Sequence, residues 1–402
     1  MYVSLGEIEK ARETLAGVIC RTSLAYTNTV SDMTGNLVHI KMENLQRTGS
    51  FKLRGAYNKI ANLSETEKAH GVIASSAGNH AQGVALASTV FGIKSTIVMP
   101  RHAPLSKVNA TRGYGGKVVL HGDVYDEAYA MARQIEAEEK STFIHPFNDP
   151  LVIAGQGTIG LELLEDMPEV ETVVVPIGGG GLIAGVAIAL KESNPKIKVI
   201  GVQTKNMPSM LESRACGKVT TISGPPTIAD GIAVKTPGSM TFDIVQKYVD
   251  DIVVVDEEEI AGAILLLLER VKTVSEGAGA AAVAAILHRL PQFQKTKMAA
   301  IISGGNIDVN TMSRIINQGL GKTGRKVFFD TIVSDKPGML CKLLELIAGA
   351  GANVVAVTHN RENRGVSLGY ARVELELETA DDDHIQRLKH LMEQNQYCVN
   401  IR

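Results

Sequence analysis

From about residue 69 to 147, short apolar runs alternate with segments of helical period. The runs Val72-Ile73-Ala74, Ser95-Thr96-Ile97-Val98-Met99, Lys117-Val118-Val119-Leu120 and Thr142-Phe143-Ile144 are each bounded by Gly, Pro or Asn and predict buried strands. Helical stretches at 80–91, 104–114 and 123–140 lie between them. A β-α-β-α order of this kind predicts a parallel sheet covered on both faces. A second such unit follows: strand 172–176, a glycine loop, helix 182–192, strand 198–202, helix 257–273, a Gly/Ala-rich buried helix 277–290 and strand 298–302. Before both come a helix over 4–17, with Leu5, Ile8, Ala11 and Leu15 on one face, and extended stretches around Leu24 and over 37–41.

At Lys326 the rhythm changes. Strand 327–333, helix 337–350, strands 354–357 and 367–377, helix 382–394 and strand 397–401 give the ferredoxin-like order β-α-β-β-α-β. Val373, Leu375 and Leu377 alternate with Glu374, Glu376 and Glu378, the pattern of a half-exposed antiparallel strand. The stretch Gly319-Leu320-Gly321-Lys322-Thr323-Gly324 has the composition of a domain boundary. The reading is therefore a 1–320 α/β domain with a smaller subdomain (about 45–150) inserted, a linker at 321–325, and a 326–402 domain.

Bulk composition narrows the function classes. With 402 residues, 45% hydrophobic, 21% charged and a net charge of −2, the chain reads as a soluble protein with no electrostatic case for nucleic acid or an anionic membrane. The apolar run 260–268 is far shorter than the roughly 20 residues of a membrane span. Cys20, Cys216, Cys341 and Cys398 show no paired spacing, and Glu7 and Glu9 stand where a signal peptide would be apolar, so a cytoplasmic location is expected.

Chemistry concentrates in a few stretches. In Ser50-Phe51-Lys52-Leu53-Arg54-Gly55-Ala56, Ser50 is expected to cap a helix whose first turn holds Lys52. The positive end of a helix disfavours an ammonium, and a neutral amine is what a lysine condensing with a carbonyl must supply. Gly178-Gly179-Gly180-Gly181-Leu182 follows a strand and opens a helix, which makes an anion site of backbone N–H groups. The chain lacks the Lys-Ser/Thr of a triphosphate loop, and Gln203 and Thr204 stand where a dinucleotide site would want an acid, so a phosphate monoester fits better. Ser75-Ser76-Ala77-Gly78-Asn79-His80 links a strand to a helix at the sheet edge where ligands collect.

With Ser303-Gly304-Gly305-Asn306, these motifs resemble the fold-type II pyridoxal-phosphate (PLP) enzymes, and among them the threonine dehydratases, over nearly the whole chain. The resemblance implies two doubly wound α/β subdomains and PLP held by Lys52, with Gly178, Gly179, Gly180, Gly181 and Leu182 on its phosphate. It assigns Asn79 to the 3'-oxygen and Ser303 to the pyridine nitrogen. Phe51 is expected against the cofactor ring or in the core. The loop Ser75, Ser76, Ala77, Gly78, Asn79 and His80 is expected to receive the substrate carboxylate. Serine racemases of the class carry a serine where Ala77 stands, and a metal-binding carboxylate set where Gln203 and Ser209 stand, so neither racemisation nor a metal is expected. L-threonine would give 2-oxobutanoate and ammonia, and L-serine pyruvate; a β-replacement enzyme or a non-catalytic sensor are the alternatives. Asp335-Lys336-Pro337-Gly338-Met339-Leu340 resembles the start of an ACT regulatory domain, with Asp335 as helix cap and Pro337 in the first turn. It implies a homo-oligomer and an amino-acid effector held at Asp335, Pro337, Gly338, Met339 and Leu340.

Overall fold

The computed structural model describes residues 3–362 and 366–401, in two compact units, Met1–Asp308 and Val309–Arg402. The first unit holds two sheets. The smaller has the order Lys117–Leu120, Ser95–Met99, Val72–Ser75, Thr142–Phe143, all parallel. The larger runs Leu24–Tyr26, Leu37–Met42, Lys297–Ile302, Thr172–Pro176, Lys198–Thr204, Asp251–Val255, parallel apart from its first strand. The central strands are buried on both faces, as their unbroken Val/Ile/Ala runs require.

Helix Pro150–Asp166 positions the site. Asp149 caps it, accepting from the N–H groups of Leu151 and Val152. Its glycines bring it against the two helices that carry chemistry. A Cβ on Gly155 would lie 2.6 Å from the Arg54 carbonyl oxygen, and one on Gly157 would lie 2.9 Å from that of Gly185. Helices Lys52–Ala61 and Gly181–Ser193 are thereby packed against one spine almost backbone to backbone.

Under the first turn of Lys52–Ala61 lies a buried, charge-balanced network. Arg54 Nε and Nη2 reach Glu43 at 2.8 Å each, Nη1 reaches Glu162 at 2.6 Å, and Lys41 Nζ reaches Glu162 at 2.6 Å. Burial opposes the charge on Arg54, but Glu43 and Glu162 outweigh it and raise the guanidinium pKa.

Three sequence expectations give way here. Ser50 does not cap the lysine's helix: the residue before it is Phe51 in helical geometry, with no side-chain cap, while Ser50 is held by a β-bridge to Gly304. Pairing with the strand end fixes that backbone and takes Ser50 out of capping position. The helix over 257–273 is α-helical only at Glu257–Leu266; a π turn, Leu267–Val271, follows and ends at Lys272 in left-handed geometry (φ 63). Gly321 and Lys322, expected in the linker, close a helix, Val309–Lys322, that opens the second unit.

That unit carries the antiparallel sheet Asn353–Asn360, Tyr370–Glu378, Lys326–Ser334, Asn400–Ile401, with helices Met339–Gly349 and Asp382–Gln394. This is the ferredoxin-like strand order, and the inward Val373, Leu375 and Leu377 are buried as their alternation predicts. Asp335 does not cap the Met339–Gly349 helix. Its carboxylate pairs with Arg361 Nε at 2.8 Å, and Gly338 in left-handed geometry (φ 88) precedes the helix, leaving Pro337 outside the first turn. No helix among the described residues is long and apolar enough to cross a membrane.

Candidate active site

Parallel strands end together at one edge of each sheet, and the motif residues follow those ends. Ser76–Gly78 follow Val72–Ser75, Ile177–Gly180 follow Thr172–Pro176, and Ser303 follows Lys297–Ile302. Lys52 is the first residue of its helix. Its Nζ donates to the Pro146 carbonyl at 2.9 Å and lies 5.2 Å from the Phe51 ring centroid. Lys52 keeps partial exposure as a residue, yet burial around the amine lowers its pKa to about 8, with the charge of Glu276 pulling the other way. Phe51 belongs to the core cluster that includes Leu182 and Ile183.

The carbonyl that holds Lys52 is itself held. His145 Nδ1 accepts from the N–H groups of Phe147 (3.3 Å) and Asn148 (2.8 Å). Burial, then the charge of Lys52, lowers the pKa of His145 to about 4 and that of His80 to about 3, so both rings are neutral. His80 Nε2 donates to the Ile144 carbonyl at 2.8 Å. Segment 144–148 is thus fixed from both sides without adding positive charge beside Lys52.

The glycine loop has the character of an anion cradle. The helix Gly181–Ser193 starts buried, with Gly180 in left-handed geometry (φ 97) and no side-chain cap. A buried helix N-terminus without a cap calls for a ligand acceptor. Thr241 Oγ1 donates to the Gly179 carbonyl at 2.6 Å, tying the loop's acceptor to protein and leaving its donors for something else. A Cβ at Gly179 would stand 2.4 Å from the Phe147 ring, so only glycine fits there. Together with the buried Ser75 hydroxyl, which has no partner among the described residues, these features fit a phosphate monoester that carries a carbonyl for Lys52.

Asn79 opens the helix Asn79–Val90, and Ser303 is 2% exposed at its strand end. The Asn79 amide donates from Nδ2 to Glu276 Oε1 at 2.6 Å and accepts at Oδ1 from Asn306 Nδ2 at 2.7 Å. Glu276 is the site residue that sequence reasoning missed: a lone glutamate before a Gly/Ala-rich helix reads as an ordinary helix start. Gln203 and Ser209 are engaged by protein. Gln203 Oε1 accepts from the N–H groups of Met210 and Leu211, and Ser209 Oγ donates to the Val234 carbonyl.

Comparison with known proteins shows the family. A family model described as "Pyridoxal-phosphate dependent enzyme" matches residues 15–304. The chain is 58% identical over 399 residues to the L-threonine ammonia-lyase of Thermotoga maritima, covering 99% of both chains. It is 50% identical over 315 residues to the catabolic L-threonine dehydratase TdcB of Escherichia coli K12, covering 78% of this chain and 96% of that one. Among solved structures, maize serine racemase superimposes with a TM-score of 0.76 at 36% identity, covering 80% of this chain and 99% of the racemase.

Proposed function

The chain belongs to the family of pyridoxal-phosphate dependent enzymes, and from that premise we propose that it is a threonine ammonia-lyase, converting L-threonine to 2-oxobutanoate and ammonia, with L-serine as a secondary substrate. The observation that carries the chemistry is Lys52, a helix-start lysine held on a carbonyl oxygen, its amine lowered to about 8. Lys52 would bear the cofactor, the amides of Gly178 to Leu182 would take its phosphate, Asn79 would meet the 3'-oxygen and Ser303 the ring nitrogen. When bound, the cofactor supplies an electron sink that acidifies the Cα–H of an amino acid. Lys52 is then the base that removes that proton, and near-neutral pKa suits the task. The loop Ser75–His80 would hold the substrate carboxylate with backbone N–H groups, without needing an arginine.

The likeness to maize serine racemase raises racemisation as a second reading. Ala77 weighs against it, because a methyl group cannot deliver a proton to the opposite face of Cα. The proposed outcome is loss of the β-hydroxyl, which takes up a proton and leaves as water; the released enamine tautomerises and hydrolyses to the oxo acid and ammonia.

For the C-terminal unit we propose an ACT-type regulatory role in a homo-oligomer, isoleucine or valine first among effectors. The ferredoxin-like order and the uncapped helix start at Gly338 support it, as do the exposed Phe328, Val355 and Val357, apolar surface that pairing would cover.

The test is direct. Purified protein should show a visible band that borohydride bleaches and should release ammonia from L-threonine faster than from L-serine. Lys52→Ala should keep its circular dichroism and lose turnover by at least a thousandfold. Near-wild-type 2-oxobutanoate production by that variant would overturn the assignment.

A further inference from the structure

Glu276 has an obvious local use and does not serve it. It stands as the residue before the Gly277–His288 helix, where a carboxylate would bond the helix's first N–H groups, yet its side chain makes no cap. It turns instead onto the Asn79 amide 197 residues away, at 2.6 Å. The surroundings are built for that diversion. The Glu276 N–H donates to the Gly304 carbonyl at 3.1 Å, and Ser275 Oγ bonds the same oxygen at 3.4 Å. Asn44 Nδ2 clamps the preceding turn, at 2.6 Å to Thr273 Oγ1 and 2.8 Å to the Val274 carbonyl. Position 304 must lack a side chain, since a Cβ there would lie 2.4 Å from Glu276 Oε1 and 3.0 Å from Asn79 Nδ2.

An amide side chain can flip its oxygen and nitrogen, and the two orientations offer a ligand opposite groups. Here Asn306 donates to the oxygen end and a carboxyl accepts from the nitrogen end, so the orientation is fixed from both sides. One N–H of Asn79 remains for a ligand oxygen.

We propose that Glu276 is a positioning residue of the site: its carboxyl holds the Asn79 amide with the N–H end presented to the cofactor's phenolic oxygen, and its ionisation tunes how strongly that N–H donates. The inference rests on the reading of Asn79 given above. Burial, then the charge of Asp230, raises the Glu276 pKa to about 7, against Lys107, Asn79 and Lys52, which pull it down. Lys107 itself pairs with Asp230 at 2.6 Å. A group so shifted changes charge near neutral pH, and a carboxylate polarises the amide more than a carboxylic acid does.

The test uses the holoenzyme, with three variants: Glu276→Ala, Glu276→Gln and Asn79→Ala. Cofactor affinity is read from the visible band, together with that band's pH dependence and the thermal midpoint. Glu276→Ala should weaken cofactor binding tenfold or more and shift the band. Glu276→Gln keeps an acceptor for Asn79, so affinity should stay within about threefold while the ionisation near neutrality vanishes from the band's pH titration. In combination with Asn79→Ala, the Glu276→Ala effect should largely disappear, because the two act through one contact. Wild-type affinity and pH titration in Glu276→Ala, alongside a defective Asn79→Ala, would overturn this inference alone. Wild-type cofactor binding by Asn79→Ala would overturn the assignment of Asn79 beneath it. A fall in thermal midpoint with an unaltered band would reduce Glu276 to a structural residue and refute the proposal.

Discussion

At the scale of single residues, the site is a set of ionisable groups whose pKa values are moved from their usual ones. His80 and His145 have depressed pKa values, so the stability they contribute is present above 6.5 and is lost as pH falls toward about 3 and about 4. Glu276 has the opposite sign: raised from 4.5 to about 7, its contribution is present below 4.5 and is lost as pH rises through 7. Comparing the cofactor-free chain with its Glu276→Gln variant isolates the second effect. Urea unfolding should give equal stabilities near pH 4.5 and an advantage to the variant by pH 8, at most about 3 kcal/mol. A difference that does not change with pH would mean that Glu276 titrates normally. Such a residue is hard to see in a sequence. As candidates, the glycine loop and Asn79 are legible because each sits at a strand-to-helix turn, and Lys52 because it opens a helix. Glu276 owes its proposed role to a partner 197 positions away, and the buried Gly/Ala-rich helix after it gives no hint of that partner.

Elements were legible where their period is unambiguous and missed where it is not. The smaller sheet's strands fall within a residue of their predicted positions, and the βαββαβ order of the second unit is as read. Helix Pro150–Asp166 left no stripe to read because it is buried nearly all round, with glycines that look like breakers but serve close packing. The charged residues beneath Lys52–Ala61 were equally opaque, since Arg54, Glu43, Lys41 and Glu162 look like surface positions until the fold pairs them. That network ties the lysine's helix to two other elements, and breaking it should be costly. Arg54→Met strands the buried Glu43 carboxylate and leaves Glu162 to Lys41 alone, and should destabilise the protein by about 3–5 kcal/mol in urea unfolding. Adding Glu43→Gln should recover a good part of the loss, because the surplus negative charge is then removed. A loss under about 1 kcal/mol for the single variant would show that water reaches these groups.

For the whole molecule, the two compact units separate two proposed tasks. A chain ending at Asp308 keeps every candidate active-site residue and should retain cofactor and threonine turnover, while response to isoleucine and valine should vanish. Regulation that survives the cut would put the effector site in the first unit. Cutting there, not after Gly321, matters, because the Val309–Lys322 helix would otherwise be left without the sheet it belongs to.

The residues proposed to hold the cofactor, Lys52, Asn79, Gly178–Gly181 and Ser303, span most of the first unit's length, and the turns that carry Asn79, the glycine loop and Ser303 follow strands of both its sheets. An unfolded or half-assembled chain therefore offers pyridoxal phosphate no comparable site, and by mass action free cofactor at a hundred times its dissociation constant adds about 2.7 kcal/mol to the native state. A shortage of cofactor would then lower the share of molecules that stay folded and escape proteolysis, thinning the population along with its output.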